Sequence, residues 1–112
     1  MIARRRILLA DDHALVRAGI RALLESLPRV VVVGETGDGL EAVELVRRDP
    51  PDAILLDITL PGLNGLDTLR AIRQFHPAAQ VIMLSGRNAP ATVIEAVRLV
   101  SKTGGQGGDW TA

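Results

Sequence analysis

Four short runs of aliphatic residues limit what this chain can fold into more than any other feature of its sequence. None of the runs alternates with polar residues, so each predicts a strand covered on both faces, as in a parallel sheet. A segment of helix length separates each run from the next, which predicts β-α-β units with right-handed crossovers and an α/β fold. The runs are residues 7–10, 30–33, 53–56 and 81–84.

The segments that follow these runs carry apolar residues at helical spacing and predict four helices. Prolines at positions 28, 50, 51 and 77 follow the first three segments, as expected just beyond the ends of helices. The four apolar stripes are Val16, Ile20, Leu23, Leu24 and Leu27; Leu40, Val43 and Val46; Leu66, Leu69 and Ile72; and Val93, Val97 and Val100.

Composition narrows the class of protein. At 112 residues with 2% aromatic residues, the chain predicts one small domain with an aliphatic core. A net charge of zero argues against a basic nucleic-acid module, and the basic cluster at 4–6 is more typical of a solvated edge. The absence of cysteine excludes disulfides and thiolate metal sites. With no signal-peptide core and no run near the ~18 apolar residues of a membrane span, we expect a cytoplasmic protein.

Acidic residues stand where two predicted strands end. Asp11 and Asp12 follow the first run, and Asp57 follows the third. If these strands are neighbours, the three carboxylates meet at one edge of the sheet, where their mutual repulsion favours a bound cation. Oxygen ligands of this kind suit Mg²⁺. The alternative is that Asp12 caps the first helix and Asp57 only begins a polar loop, but acids at two strand ends favour a site.

Ser85 follows the fourth run and is expected at the same edge, although a single serine after a strand is more often part of a turn. Its hydroxyl could donate a hydrogen bond to an anion held there. A carboxylate nucleophile, a metal ion and a hydroxyl donor together suit phosphoryl transfer to Asp57, which would give an aspartyl phosphate.

These residues resemble response-regulator receiver domains of two-component signalling, in particular those of NarL/LuxR-type transcriptional regulators. The resemblance is carried by "ILLADDHALVRAGIRALLE", "DAILLDITLPGLNGLDTLRAIR" and "VIMLSG", and includes Pro61 and Gly65 four and eight residues beyond Asp57. It implies a flavodoxin-like, CheY-like doubly wound parallel sheet, which in this family has the strand order 2-1-3-4-5.

The resemblance also implies a role for each site residue. Asp57 would accept a phosphoryl group from a sensor histidine kinase. The protein itself would not be an enzyme. Asp12 would bind Mg²⁺ directly, Asp11 largely through water, and Thr59 through its backbone carbonyl, while Ser85 would bond the phosphoryl group. His13 could be a ligand or a phosphate carrier, but "DDH" is ordinary in this subfamily and a bland role is favoured.

The end of the chain departs from the family. The family lysine at the end of strand five would fall near Gly107, whereas the only lysine here is Lys102, either displaced by a deletion or part of unrelated sequence. Residues 101–112 are glycine-rich and of poor strand propensity. We therefore predict a receiver domain over 1–100 with order 2-1-3-4, a non-family tail over 101–112, and a fifth strand and helix that are missing or degenerate.

Three functions remain open at this point. The leading one is a phospho-accepting receiver that binds no nucleic acid or membrane itself. The second is a phosphorylation-defective pseudo-receiver that acts only by binding partners, because the family lysine and its nearby aromatic are not in place. The third, a haloacid-dehalogenase-type phosphatase, is weaker because Thr59 stands where a second acid is expected. An uncovered fourth strand would also favour a homodimer or edge-strand association.

Overall fold

The computed structural model describes residues 4–84 and the backbone of residues 108–111. Strands and helices alternate along the chain, as predicted. The elements are β1 (Arg5–Ala10), α1 (Ala14–Glu25), β2 (Val30–Thr36), α2 (Gly39–Arg48), β3 (Ala53–Asp57), α3 (Gly65–Phe75), β4 (Gln80–Leu84) and β5 (Gly108–Thr111). The fourth predicted helix and any fifth helix lie outside the described residues.

The strands form one parallel sheet in the order β2-β1-β3-β4-β5. The predicted order 2-1-3-4 is therefore confirmed. The order places β1 between β2 and β3, so the chain leaves β1 in one direction to β2 and returns to its other side for β3. This reversal puts the carboxyl ends of β1 and β3 next to each other.

The fifth strand, expected to be missing or degenerate, is present as a short one. Residues 108–111 form a four-residue strand that pairs in parallel with β4, from Gln80 opposite Gly108 to Met83 opposite Thr111. Tryptophan and threonine favour strands, and a parallel ladder is made by backbone groups that every residue but proline supplies in full. Since β5 covers β4, the argument for association through an uncovered β4 edge no longer holds.

Two apolar clusters, one on each face of the sheet, hold the helices in place. On one face Ile20 and Leu24 of α1 pack over β1, β3 and β4, and on the other Val46 of α2 and Ile72 of α3 do the same. Two members of the apolar stripes are not part of this core. Leu40 and Leu66 are more than half exposed, because each lies in the first turn of its helix, on the side away from the sheet.

The run at 30–33 is also less buried than its composition suggested. The register between β1 and β2 shifts after Ile7, which leaves Val33 out of the pairing and 39% exposed. A bulge of this kind is tolerated because β2 lies at the edge of the sheet. In the part of the chain that the structure describes, no helix is long and apolar enough to cross a membrane.

Candidate phosphorylation site

The carboxyl ends of β1 and β3 bring the predicted acids together. Ala10 pairs with Leu56, so Asp11 and Asp57 follow at the same level of adjacent strands, and both are almost fully buried. Asp12, one residue further, is exposed. One ligand atom from each of these acids and one from His13 all lie within 4.8 Å of one another. The convergence inferred from the sequence is thus present.

Asp57 uses only one of its two carboxylate oxygens within the described residues. Its Oδ1 accepts hydrogen bonds from the backbone N–H and the hydroxyl of Thr59, each at 3.0 Å. Its Oδ2 is buried and has no hydrogen-bond partner in this part of the chain. A buried, unpaired carboxylate oxygen is costly, so it points to a cation or other group that binds there.

Asp11 is held at the site by hydrogen bonds to Thr36 and His13. Its backbone N–H donates to the Thr36 carbonyl, and its Oδ1 accepts from the backbone N–H of His13 at 2.8 Å. Burial raises the pKa of Asp11 above its ordinary value, and the nearby Asp57 carboxylate raises it further. The site therefore disfavours its own negative charges unless a cation is present.

His13, for which the sequence analysis favoured a bland role, lies among the three acids. Its Nδ1 lies 3.2 Å from Asp11 Oδ1, 3.2 Å from Asp12 Oδ1 and 3.7 Å from Asp57 Oδ2. The hydrogen bond to Asp11 and the surrounding negative charges raise the pKa of the imidazole. His13 also occupies the N-cap position of α1 without capping it by its side chain, so the alternative role of Asp12 as that cap is wrong.

An arginine on α1 fixes the main chain at the acids. Arg17 donates from Nη1 to the Asp11 carbonyl at 2.7 Å and from Nε to Glu35 on β2 at 3.1 Å. A Cβ at Gly37 would lie 2.9 Å from that Nη1, so glycine leaves the space that the guanidinium occupies. The sequence signal was a basic residue one turn into the first helix, which is too common to single out.

The loop after Asp57 is tightly folded against its neighbours. Gly62 has a φ of +80°, a conformation that favours glycine, and a Cβ at Gly65 would lie 2.7 Å from the Asp57 carbonyl oxygen. Asn64 caps α3 by accepting from the Asp67 N–H. The two glycines after β3 therefore let the loop turn and pack closely against its neighbours.

Three predicted features stay predictions. The structure brings Thr59 to Asp57 through its N–H and hydroxyl, and the metal-binding role of its carbonyl is not tested. Ser85 and Lys102 lie outside the described residues. The remaining ligands fit a divalent cation, because three carboxylates converge and the buried Asp57 Oδ2 lacks a partner among described residues.

A family model for the response regulator receiver domain matches residues 7–102. The chain belongs to this family. The match ends close to the predicted domain boundary at residue 100, although the division between domain and tail stays a prediction.

The relatives support the narrower resemblance to NarL/LuxR-type regulators. The nitrate/nitrite response regulator NarP of Escherichia coli K12 is 44% identical over 88 residues, which cover 79% of this chain and 41% of NarP. NarL of the same strain is 38% identical over 92 residues, covering 82% and 43%. The signal receiver domain of the putative response regulator NarL from Mycobacterium tuberculosis superposes with a TM-score of 0.74 at 31% identity, covering 97% and 83%.

The chain spans less than half the length of the two curated relatives it matches. The alignments therefore concern one part of those proteins. They confirm that the chain is a receiver domain of the NarL/LuxR-type response regulators.

Proposed function

We propose that this receiver domain accepts a phosphoryl group on Asp57 from the phosphohistidine of a sensor kinase in the cytoplasm. The bond from phosphorus to the donor's histidine nitrogen breaks as a bond to an Asp57 carboxylate oxygen forms. The observation that carries the proposal is the buried Asp57 Oδ2, which has no hydrogen-bond partner among the described residues, on a side chain that converges with Asp11, Asp12 and His13. Thr59 holds Oδ1 and so fixes the orientation of the carboxylate.

A divalent cation would be held by carboxylate oxygens of Asp11, Asp12 and Asp57 and by the Thr59 carbonyl. Mg²⁺ bound there would neutralise the charge that builds up on the transferring phosphoryl group. The hydroxyl of Ser85 would hydrogen-bond the phosphoryl oxygens. In this scheme the chain is a phospho-acceptor that assists its own modification, rather than an enzyme acting on a separate substrate.

The binding-only alternative gains no support. It was motivated by the displaced lysine and aromatic at the end of the chain, and these lie outside the described residues. The features that phosphoryl acceptance requires, namely a fixed nucleophile and converging acids, lie within them.

The test is covalent modification of Asp57. The protein is incubated with Mg²⁺ and acetyl phosphate, and its intact mass is measured before and after. We expect the addition of one phosphoryl group to the wild type and to Asp52→Asn, a control at the opposite end of β3, but none to Asp57→Asn. No adduct on the wild type, or an adduct that survives Asp57→Asn, would overturn the proposal.

A further inference from the structure

His13 turns its ring back over the acids instead of into solvent. The backbone at His13 is extended, with φ −89° and ψ 99°, and its N–H donates to Asp11 Oδ1. This local turn directs Nδ1 toward carboxylate oxygens from both strand ends, namely those of Asp11, Asp12 and Asp57. A single ring nitrogen therefore faces all three of the carboxylates predicted to bind the metal.

Two of the three distances from this nitrogen match those between neighbouring ligands of one metal ion, and the third is slightly longer. Nitrogen and oxygen ligands lie about 2.0–2.2 Å from a first-row divalent cation, which separates neighbouring ligands by about 2.8–3.6 Å in octahedral or tetrahedral sites. His13 Nδ1 lies 3.2 Å from an oxygen of Asp11, 3.2 Å from one of Asp12 and 3.7 Å from one of Asp57. The buried Asp57 Oδ2 has no hydrogen-bond partner among the described residues, which independently indicates that a cation binds in this space.

The geometry points to His13 as a nitrogen ligand of the divalent-cation site, which would extend its range from Mg²⁺ to transition metals such as Ni²⁺ and Zn²⁺. Imidazole suits these ions, whereas carboxylates, carbonyls and water suit Mg²⁺ and Mn²⁺. The inference rests on the proposed function, because it uses the same acids. It adds that this receiver's metal preference is set by the residue after its acid pair.

A purely structural His13 makes a different prediction. In that case the ring only hydrogen-bonds the carboxylate of Asp11, and removing it changes the affinity for all divalent cations by a similar factor. Because N- and O-ligand sites of many kinds bind Ni²⁺ more tightly than Mg²⁺, a preference for Ni²⁺ alone is not diagnostic. The informative quantity is the change in that preference when His13 is replaced.

The experiment titrates Mg²⁺, Mn²⁺, Ni²⁺ and Zn²⁺ into tag-free protein by calorimetry. His13→Ala removes the ring, and His13→Asn keeps a side chain able to hydrogen-bond Asp11 but offers no imidazole. His76→Ala is the matched control, because His76 is the other histidine of the chain and its Nε2 contacts the Pro51 carbonyl instead. Since His13 is more than half exposed, we expect every variant to fold.

We expect both His13 variants to lose at least about tenfold in Ni²⁺ and Zn²⁺ affinity, with Mg²⁺ and Mn²⁺ affinities within about threefold of wild type. The His76 variant should match wild type for all four ions. Equal effects on all ions, or none, would overturn the role of His13 while leaving Asp57 phosphorylation intact. Failure of the wild type to bind any of the ions would instead count against the proposed cation site itself.

Discussion

The two ends of strands β1 and β3 carry the same kind of residue in opposite situations. At the amino end, the Arg6 guanidinium pairs with Asp49, the Arg6 backbone N–H donates to Asp52, and the Arg5 guanidinium lies 4.0 Å from Asp52. At the carboxyl end, three acids lie around His13, and Asp57 Oδ2 has no hydrogen-bond partner among the described residues. An aspartate whose charge is matched within the chain stabilises the fold. Aspartates left unmatched and buried mark a place for something from outside.

The loops at the carboxyl end are also packed too tightly to accept larger residues, and this gives the largest expected effect. A Cβ at Gly39 would overlap the carbonyl oxygen of Leu63 and the hydroxyl of Thr68, whereas nothing lies within 4 Å of a Cβ at Gly19 on α1. We expect Gly39→Ala to lower the free energy of unfolding by about 3 kcal/mol. Gly19→Ala should raise it by about 0.5–1 kcal/mol, because alanine is the better helix former.

Urea denaturation followed by circular dichroism measures both glycine variants. If Gly39→Ala were as stable as wild type, the close contact between the loop before α2 and the loop before α3 would be wrong. A loss at Gly19 would indicate that the exposed side of α1 is covered by something absent from the described residues.

Removing the charge of Asp57 should stabilise the protein when no metal is present. Asp57→Asn removes a buried charge next to Asp11 while keeping an oxygen for the Thr59 hydrogen bonds. We expect the free energy of unfolding, measured in a chelator, to rise by about 2 kcal/mol. Adding Mg²⁺ should stabilise only the wild type and so narrow the difference, since bound ligand stabilises the folded state. A destabilised Asp57→Asn would show that the charge is matched after all.

Replacing an aspartate by asparagine at the amino end should instead lower the free energy of unfolding. Asp52 Oδ2 accepts from the Arg6 N–H at 2.8 Å, and asparagine would keep an acceptor there but lose the charge. We expect Asp52→Asn to lower the free energy of unfolding by about 1 kcal/mol, with no dependence on Mg²⁺. A stabilising effect at both ends would mean that the two sets of aspartates are not distinguished by their partners, and the comparison would fail.

The strands could be predicted from the apolar runs, whereas the sheet order came from the resemblance to receiver domains. Once β1 and β3 are neighbours, their carboxyl ends lie at the same edge of the sheet, so the acids that follow the two runs come close together. By contrast, the apolar stripes included the exposed Leu40 and Leu66, because spacing alone does not say where a helical stripe begins.

The direction of the His13 ring and the presence of β5 could not be predicted for other reasons. The direction of the His13 ring depends on the turn that its own N–H makes with Asp11, which no spacing rule reveals. The strand at 108–111 depends on pairing with β4, a contact between distant parts of the chain, and its glycine-rich surroundings argued against it. Such long-range contacts override local propensity.

Glu35 provides the finest test, because it is a matched acid close to the unmatched ones. Hydrogen bonds from Arg21 and then Arg17 hold the pKa of Glu35 below its ordinary value of 4.5. Its contribution to stability is therefore complete above that value and is lost as the pH falls through the lower, folded-state pKa. The raised pKa of Asp11 acts in the opposite direction, but it is common to wild type and variant and cancels from their difference.

We expect Glu35→Gln to be less stable than wild type by about 0.5 kcal/mol at about pH 6, because the ion pairs are partly exposed. The gap should shrink when urea midpoints are compared at about pH 3, where the wild-type carboxylate takes up its proton. A gap that stayed constant over this range would mean that the two arginines stabilise Glu35 by packing rather than by charge.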